Sequence, residues 1–157
     1  MPTILVTYYS RGGNTKKMAE EIKKGIEQEN ISCVIKPVDE IEIDELLNYE
    51  GIAIGSPTYY GDMAAEVKQL LDNSVKLHGK LEGKIGAAFS SSANIGGGNE
   101  TTILSILNAL LVHGMIIQGD SSGDHYGPVS IGSPDKRSEE ECLRLGKRLA
   151  QLAKRLS

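Results

Sequence analysis

The chain has 157 residues, of which 39% are hydrophobic and 24% are charged, a composition typical of one globular domain with a buried core. This composition excludes a disordered chain, a collagen-like chain and a membrane-spanning chain. Lys and Arg number 17 against 21 Asp and Glu, which gives a net charge of −4. Neither nucleic acid nor an anionic membrane is therefore an expected partner.

The cysteine content and the N-terminal residues predict where the protein works. Cys33 and Cys142 are too few for a disulfide framework or a four-ligand metal site, and no CxxC spacing joins them. The first residues carry neither the basic stretch nor the long apolar run of a secretory signal. We therefore expect a cytoplasmic protein without a metal site, whose partners are small molecules or other proteins.

Short apolar runs alternate with stretches of helical period, which is the pattern of a parallel sheet built from βαβ units. The five predicted strands are residues 4–9, 31–38, 51–55, 84–90 and 115–117. Apolar residues at helical spacing predict the helices. They lie from about 16 to 26, within the acidic connection 39–50, around 63–71, over 101–113, and in a C-terminal helix with a capping signature at Ser138.

These elements predict the architecture of residues 1–157 as a single domain. Right-handed crossovers place helices on both faces of the sheet, and a doubly wound sheet of five strands most often has the order 2-1-3-4-5. We therefore predict a three-layer α/β/α sandwich. Ligands of such sheets bind beyond the carboxyl ends of the strands, so the loops after strands 1, 3, 4 and 5 form the candidate site.

The loop after strand 1 reads SRGGNT over residues 10–15 and leads into a helix that we expect to begin near Lys16. Glycines let successive backbone N–H groups converge, and a helix N-terminus favours an anion, so this loop is a candidate phosphate site. It matches neither the triphosphate loop GxxxxGK[ST] nor the dinucleotide fingerprint. The alternative interpretation is a capped helix start with a glycine turn.

Two further loops have compositions that suit a ligand. Residues 56–63 place Tyr59 and Tyr60 side by side, and a flat conjugated ring could stack on one of them. Residues 90–99 are uncharged and include three consecutive glycines, which suits a neutral heteroaromatic ligand. The alternatives are tyrosines that only cover the sheet edge and a loop that is merely flexible.

The stretch after strand 5, residues 119–138, is long for a compact domain, and loops of that length are usually functional or mobile. His125 and Tyr126 could close over a ligand. Lys136 and Arg137 could meet the phosphate of a second nucleotide, or could form a solvated turn before the last helix. His113, near the end of a predicted helix, is interpreted as a packing residue.

Three segments together carry a family resemblance: LVTYYSRGGNT, IGSPTYYGDMAAEVKQLLD and FSSSANIGGGNETTILSILNALLVHGM, with HYGPVSI in support. The chain resembles the flavodoxin-like FMN proteins and, within them, the Trp-repressor-binding-protein (WrbA) type of NAD(P)H:quinone oxidoreductases. The resemblance implies FMN as cofactor and NAD(P)H as electron donor. The implied FMN-binding residues are Ser10, Arg11, Gly12, Gly13, Asn14, Thr15, Pro57, Thr58, Tyr59, Tyr60, Gly61, Ser91, Ser92, Ala93, Asn94, Ile95, Gly96 and Gly97. Because Trp is absent, Tyr126 is a third candidate to contact the ring.

The chain departs from the quinone reductase pattern at three places. His113 stands alone where the family often has two histidines in tandem, and His78 corresponds to an aromatic that a neighbouring subunit places over the flavin. The segment that supports the family's tetramer is absent, since only residues 39–50 lie between strands 2 and 3. A homodimer or a homotetramer both remain open.

The leading functional hypothesis is an oxidoreductase that passes electrons from NAD(P)H through FMN to a quinone-like acceptor, without a protein acid or base. The alternative is a flavodoxin-type carrier that shuttles electrons between redox proteins. The modest net charge and the basic residues Arg11, Lys136 and Arg137 count against that alternative. A third hypothesis is a different phosphorylated ligand.

Overall fold

All strand pairings in the structure, a computed structural model that describes residues 1–157, are parallel. The strands are β1 (Thr3–Tyr8), β2 (Ser32–Pro37), β3 (Gly51–Pro57), β4 (Ile85–Ser92), β5 (Ile116–Ile117) and β6 (Val129–Ile131). The α-helices are α1 (Asn14–Gln28), α2 (Ala65–Asn73), α3 (Asn99–Val112) and α4 (Lys136–Leu156), and 3₁₀ helices span Val38–Glu40, Ile43–Asn48 and Ser74–Leu77. The strand order β2-β1-β3-β4-β5 confirms the prediction.

The three central strands are buried on both faces, which explains why their sequences are apolar without alternation. One core cluster lies between the sheet and helices α2 and α3, and contains Ile54, Leu70 and Ile106. A second cluster lies between the sheet and helices α1 and α4, and contains Ile22 and Leu149. The fold is thus the predicted α/β/α sandwich. None of its helices combines the length and apolar character needed to cross a membrane.

The fifth strand position is divided, which the prediction of five strands missed. β5 pairs with the start of β4 through Ile116 and Ile85, whereas β6 pairs with its end through Val129 and Ser90. Residues 118–128 leave the sheet between the two. Asp120 anchors this segment to α4 by ion pairs with Arg144 and Arg148, and hydrogen bonding to Arg144 lowers the pKa of Asp120 to about 2.

The last helix begins earlier than its sequence indicates. Asp135 is the N-cap, and its carboxylate accepts a hydrogen bond from the Ser138 N–H at 2.9 Å. Ser138 in turn accepts from the Asp135 N–H, so it completes a capping box as the third helical residue. The N-cap predicted at Ser138 is therefore three residues too late in the chain. Asp and Ser are both good caps, so the residue types alone do not distinguish Asp135 from Ser138.

Helices α1 and α4 cross at two glycines that permit close backbone contact. A Cβ added at Gly146 would lie 2.1 Å from the Ile22 carbonyl oxygen, and one at Gly25 would lie 2.2 Å from the Leu143 carbonyl oxygen. Both obstacles are backbone atoms, which cannot rotate away. The contact holds α1 against α4 and thereby fixes the position of the α1 N-terminus.

We expect Gly146→Ala to lower the free energy of unfolding by about 1 kcal/mol or more. Overpacking costs about 1–3 kcal/mol, which exceeds the gain of about 1 kcal/mol from replacing glycine inside a helix. Urea unfolding of the cofactor-free protein measures the change. Gly119→Ala is the control, because its nearest obstacle is 3.9 Å away, and it should change stability by less than about 0.5 kcal/mol. A stabilised G146A variant would contradict this account of the crossing.

Candidate functional site

Three of the four candidate loops begin side by side at one edge of the sheet. Tyr8 at the end of β1 pairs with Gly55 of β3, and Pro57 at the end of β3 pairs with Ser91 of β4. The loop 9–13 and the first turn of α1, the loop 58–64 and the loop 93–98 therefore share one rim. We call this rim the carboxyl edge. It lies at the switch point between β1 and β3, where the winding direction reverses.

The first loop curls around the hydroxyl of Ser10. The Ser10 Oγ accepts hydrogen bonds from the N–H groups of Gly13 at 3.0 Å and Lys16 at 3.3 Å. Gly13, the residue before the helix, has φ +98°, a left-handed conformation that glycine adopts at little cost. Helix α1 begins at Asn14, so Asn14 and Thr15 lie in its first turn and not, as predicted, before it.

The backbone donors of this turn are unusually free. The N–H groups of Arg11, Gly12, Asn14 and Thr15 donate to no acceptor within the protein. The N-cap residue Gly13 has no side chain to cap α1, and the first turn has no acidic residue to offset the positive end of the helix dipole. Converging free donors at a positive helix end are what an anion such as phosphate requires.

A buried hydroxyl pair joins the first turn of α1 to the end of β4. The Oγ1 of Thr15 lies 2.9 Å from the Oγ of Ser91, and the two residues are 1% and 5% exposed. Ser91 and Ser92, which the sequence interpretation assigned to the loop, are the last residues of β4. The hydroxyl of Thr15, which belongs to the turn with the free N–H groups, is therefore held against the end of β4.

The second loop is a two-residue hairpin held against β4. The Thr58 N–H donates to the Ser91 carbonyl at 2.7 Å, and the Thr58 and Ser90 hydroxyls are 2.8 Å apart. Tyr59 and Asp62 pair through two backbone hydrogen bonds. Between them, Tyr60 and Gly61 have φ +51° and +77°, as a type I′ turn demands.

Tyr60 occupies this turn at an energetic cost. A side chain in the left-handed region is disfavoured, and tyrosine lacks the short polar group that makes asparagine tolerable there. Its ring is nevertheless fully exposed, while that of Tyr59 is 38% exposed. Strained residues with exposed aromatic side chains concentrate at sites where a ligand or partner makes use of them.

The third loop, Ala93 to Gly98, touches the second at a pair of glycines. A Cβ added at Gly98 would lie only 2.5 Å from the Gly61 Cα, and Gly98 has φ +105°. The Thr101 hydroxyl donates to the Gly61 carbonyl at 2.7 Å. The remaining predicted residues Ala93, Asn94, Ile95 and Gly96 are exposed, and Gly97 is half-buried. Loops two and three thus form a continuous wall beside the first.

The structure leaves Tyr126 apart from the other predicted residues. A Cβ at the adjacent Gly127 would meet the Ala88 carbonyl oxygen, so this part of the chain lies along the middle of β4. Tyr126 lines a small cavity with Gly86 and Ala87, several residues before the strand reaches the carboxyl edge. Its predicted contact with a flavin ring stays a prediction.

The predicted roles of His113 and Arg137 are resolved by their contacts. His113 ends α3 and is buried, with Nε2 2.8 Å from the Ser74 hydroxyl, and burial together with His78 lowers its pKa. It is the packing residue that the sequence indicates. Arg137 forms an ion pair with Asp124, so its charge is not free to attract a second phosphate.

Sequence reasoning missed Thr101 as a supporting residue of the site. Its hydrogen bond to Gly61 joins residues 40 positions apart, and no local spacing indicates such a pair. The sequence interpretation of charge also gave too little weight to the acidic residues at the carboxyl edge. Asp62, Glu66 and Glu100 are all exposed there, with Glu66 and Glu100 in the first turns of α2 and α3.

The fold and this edge define a doubly wound α/β protein with free backbone donors at its switch point. Comparison with known proteins agrees, since residues 5–97 match the flavodoxin domain. The chain is 42% identical to a flavodoxin of Aquifex aeolicus, with 96% of this chain and 86% of that protein covered. It is 34% identical to an NAD(P)H dehydrogenase (quinone) of Archaeoglobus fulgidus, with 99% and 100% covered.

The chain belongs to the flavodoxin family, and this membership implies FMN as its cofactor. A solved structure of a flavodoxin, WrbA-like protein from Agrobacterium tumefaciens covers all of both chains with a TM-score of 0.87. Its sequence identity is 24%, so the likeness concerns the fold alone.

We expect Tyr60→Asn to raise the free energy of unfolding of the cofactor-free protein by about 0.5–1 kcal/mol. The change creates Asn-Gly, the pair that type I′ turns favour, and removes the left-handed strain of tyrosine. Urea unfolding provides the measurement. Tyr59→Asn, at a residue without positive φ, is the matched control and should give no such gain. Destabilisation by Y60N would show that the ring contributes more to the fold than its exposure indicates.

Proposed function

We propose that the carboxyl edge binds FMN, with its phosphate on the first loop and its ring beside the second and third. The four free N–H groups of residues 11, 12, 14 and 15 support this assignment most directly. A dianionic phosphate can accept several hydrogen bonds at once, and the uncapped end of α1 adds a favourable field. Gly12 and Gly13 leave the approach open, since a Cβ at either would meet nothing within 4 Å.

The residues proposed to contact the cofactor divide by loop. Ser10, Arg11, Gly12, Gly13, Asn14 and Thr15 would hold the phosphate; Pro57, Thr58, Tyr59, Tyr60, Gly61 and residues 91–97 would contact the ring. FMN supplies the redox chemistry when bound, because its ring takes up and releases electrons. The chain contributes binding and orientation. Thr58 and Thr101 fix the second loop to its neighbours, so the tyrosines are presented from a rigid base.

We further propose that this protein is an electron carrier of the flavodoxin type, which exchanges electrons with other redox proteins. The supporting observation is that the carboxyl edge is open to solvent: Tyr60 is fully exposed, and no other residue of the chain covers it. Substrate pockets usually enclose most of a small ligand. The charges also suit a carrier, because Arg137 is paired while Asp62, Glu66 and Glu100 are exposed.

A second candidate function, reduction of a quinone by NAD(P)H, has its own support. A relative named NAD(P)H dehydrogenase (quinone) matches this chain over its full length. In this reading NAD(P)H is the donor, a small quinone is the acceptor, and a neighbouring subunit of a homodimer or homotetramer would complete the pocket. The two functions differ in whether turnover needs a protein partner.

We expect Thr15→Ala to weaken FMN binding by about 1–2 kcal/mol, because it removes the hydroxyl, held against Ser91, that we propose bonds the phosphate. Fluorescence titration of the cofactor-free protein with FMN measures the dissociation constant. Thr15→Ser keeps the hydroxyl and is the matched control, with near-normal affinity expected. Equal affinities for T15A and the unmodified protein would remove Thr15 from the phosphate site.

Turnover assays separate the two functions. The protein loaded with one FMN per chain is mixed with NADH or NADPH, with and without benzoquinone, and NAD(P)H oxidation is followed by absorbance. A carrier should turn over well below about 1 s⁻¹, the low end of ordinary enzyme rates. It should also show two separate one-electron potentials in a reductive titration. Fast benzoquinone-dependent oxidation of NAD(P)H would instead establish the reductase.

A further inference from the structure

The sheet has a gap at its last strand position, between the end of β5 and the start of β6. On one side of the gap, the Ile116 N–H donates to the Lys84 carbonyl at 2.8 Å. On the other side, the Ser90 N–H donates to the Pro128 carbonyl at 3.1 Å. The even-numbered residues of β4 therefore face the gap. Between these bonds, residues 87–89 of β4 have no strand partner on this side.

Backbone polar groups of β4 face this gap without a partner in the protein. They are the carbonyl of Gly86 and both the N–H and the carbonyl of Ala88. Both residues are buried, and Ala88 is 1% exposed. In a regular parallel ladder, residue 128 would donate to the Ala88 carbonyl, but proline has no N–H. Buried backbone groups are almost always hydrogen-bonded, so these groups require another partner.

Residues 86–88 also line a small cavity of about 30 Å³ at the gap. Its apolar walls are Leu107 of α3 and, from α4, Leu145 and Leu149. Leu107 and Leu149 belong to the core clusters on opposite faces of the sheet, so the cavity passes through the sheet. One internal water needs about 10–15 Å³ of such space, which leaves room for about two waters here.

The groups around the cavity favour a small neutral occupant that both donates and accepts hydrogen bonds. A cation would meet the Ala88 N–H and the guanidinium of Arg148, and no cluster of metal-ligating side chains is present. An anion would meet two backbone carbonyls and the carboxylate of Glu141. An apolar molecule would leave the buried polar groups unsatisfied. Water meets these conditions, since it offers two donors and two acceptor sites.

We propose that about two internal waters complete the last strand position across this gap. One bridges the Gly86 carbonyl and the Ala88 N–H, in place of the strand residue that would bond both. The other donates to the Ala88 carbonyl, in place of the N–H that Pro128 lacks. The waters allow residues 118–128 to leave the sheet and pair with α4 through Asp120, without unsatisfied backbone groups in the interior. This hydration site is independent of either proposed function.

Water–amide NMR of the ¹⁵N-labelled, FMN-loaded protein tests the first water. The Ala88 amide should give a cross-peak at the water frequency with opposite signs in NOE and ROE spectra, which distinguishes bound water from proton exchange with solvent. Ala87 is the internal control, because its N–H faces β3, and it should give no such peak. Absence of the Ala88 peak, or equal signs in the two spectra, overturns the proposal.

The variant Pro128→Ala tests the second water. Its new N–H at position 128 should donate to the Ala88 carbonyl, and a scalar coupling across that hydrogen bond detects it in ¹³C,¹⁵N-labelled protein. Pro134→Ala, in the turn before α4, is the control for loss of a proline and should leave the Ala88 shifts unchanged. Both variants should keep the Ala88 water peak, because the first site does not involve residue 128. A folded P128A variant without the coupling, or without that peak, overturns the two-water arrangement.

Discussion

The free N–H groups at the start of α1 are the constraint on which the rest of this molecule depends. Unsatisfied donors at a helix end are costly unless a ligand accepts from them, and here four of the five N–H groups from Arg11 to Thr15 lack any protein acceptor. The α1–α4 crossing at Gly25 and Gly146 holds that helix end in place. The chain thus leaves polar groups unsatisfied where the fold brings three loops together, which is a physical signature of an anion site.

The other two loops depend on hydroxyl contacts that reach the same strand end. Ser91 of β4 meets Thr15 through its hydroxyl and Thr58 through its carbonyl, so one residue links the phosphate loop to the tyrosine loop. Thr101 then joins the tyrosine loop to α3. Because these ties fix the base of the hairpin, the strain at Tyr60 persists instead of relaxing. The contacts that hold the three loops together are in this way arranged around one edge.

Much of the fold could be predicted from the sequence, because buried parallel strands and amphipathic helices leave strong periodic patterns. The strand order and the position of the carboxyl edge follow from those patterns, and so does the location of the three main loops. β6 could not be found this way, since three residues after an irregular segment carry no measurable period. The pairings of Arg137 with Asp124 and Thr101 with Gly61 depend on tertiary contacts, which no local motif encodes.

The central claim is that the free donors of the first loop hold the FMN phosphate, and amide NMR of the ¹⁵N-labelled, cofactor-free protein tests it directly. On titration with FMN, we expect saturable downfield shifts at the amides of Arg11, Gly12, Asn14 and Thr15 at one FMN per chain, because each gains a charged acceptor. Riboflavin, which lacks the phosphate, should leave these four amides nearly unmoved. Saturation by FMN without shifts at this loop would contradict the account.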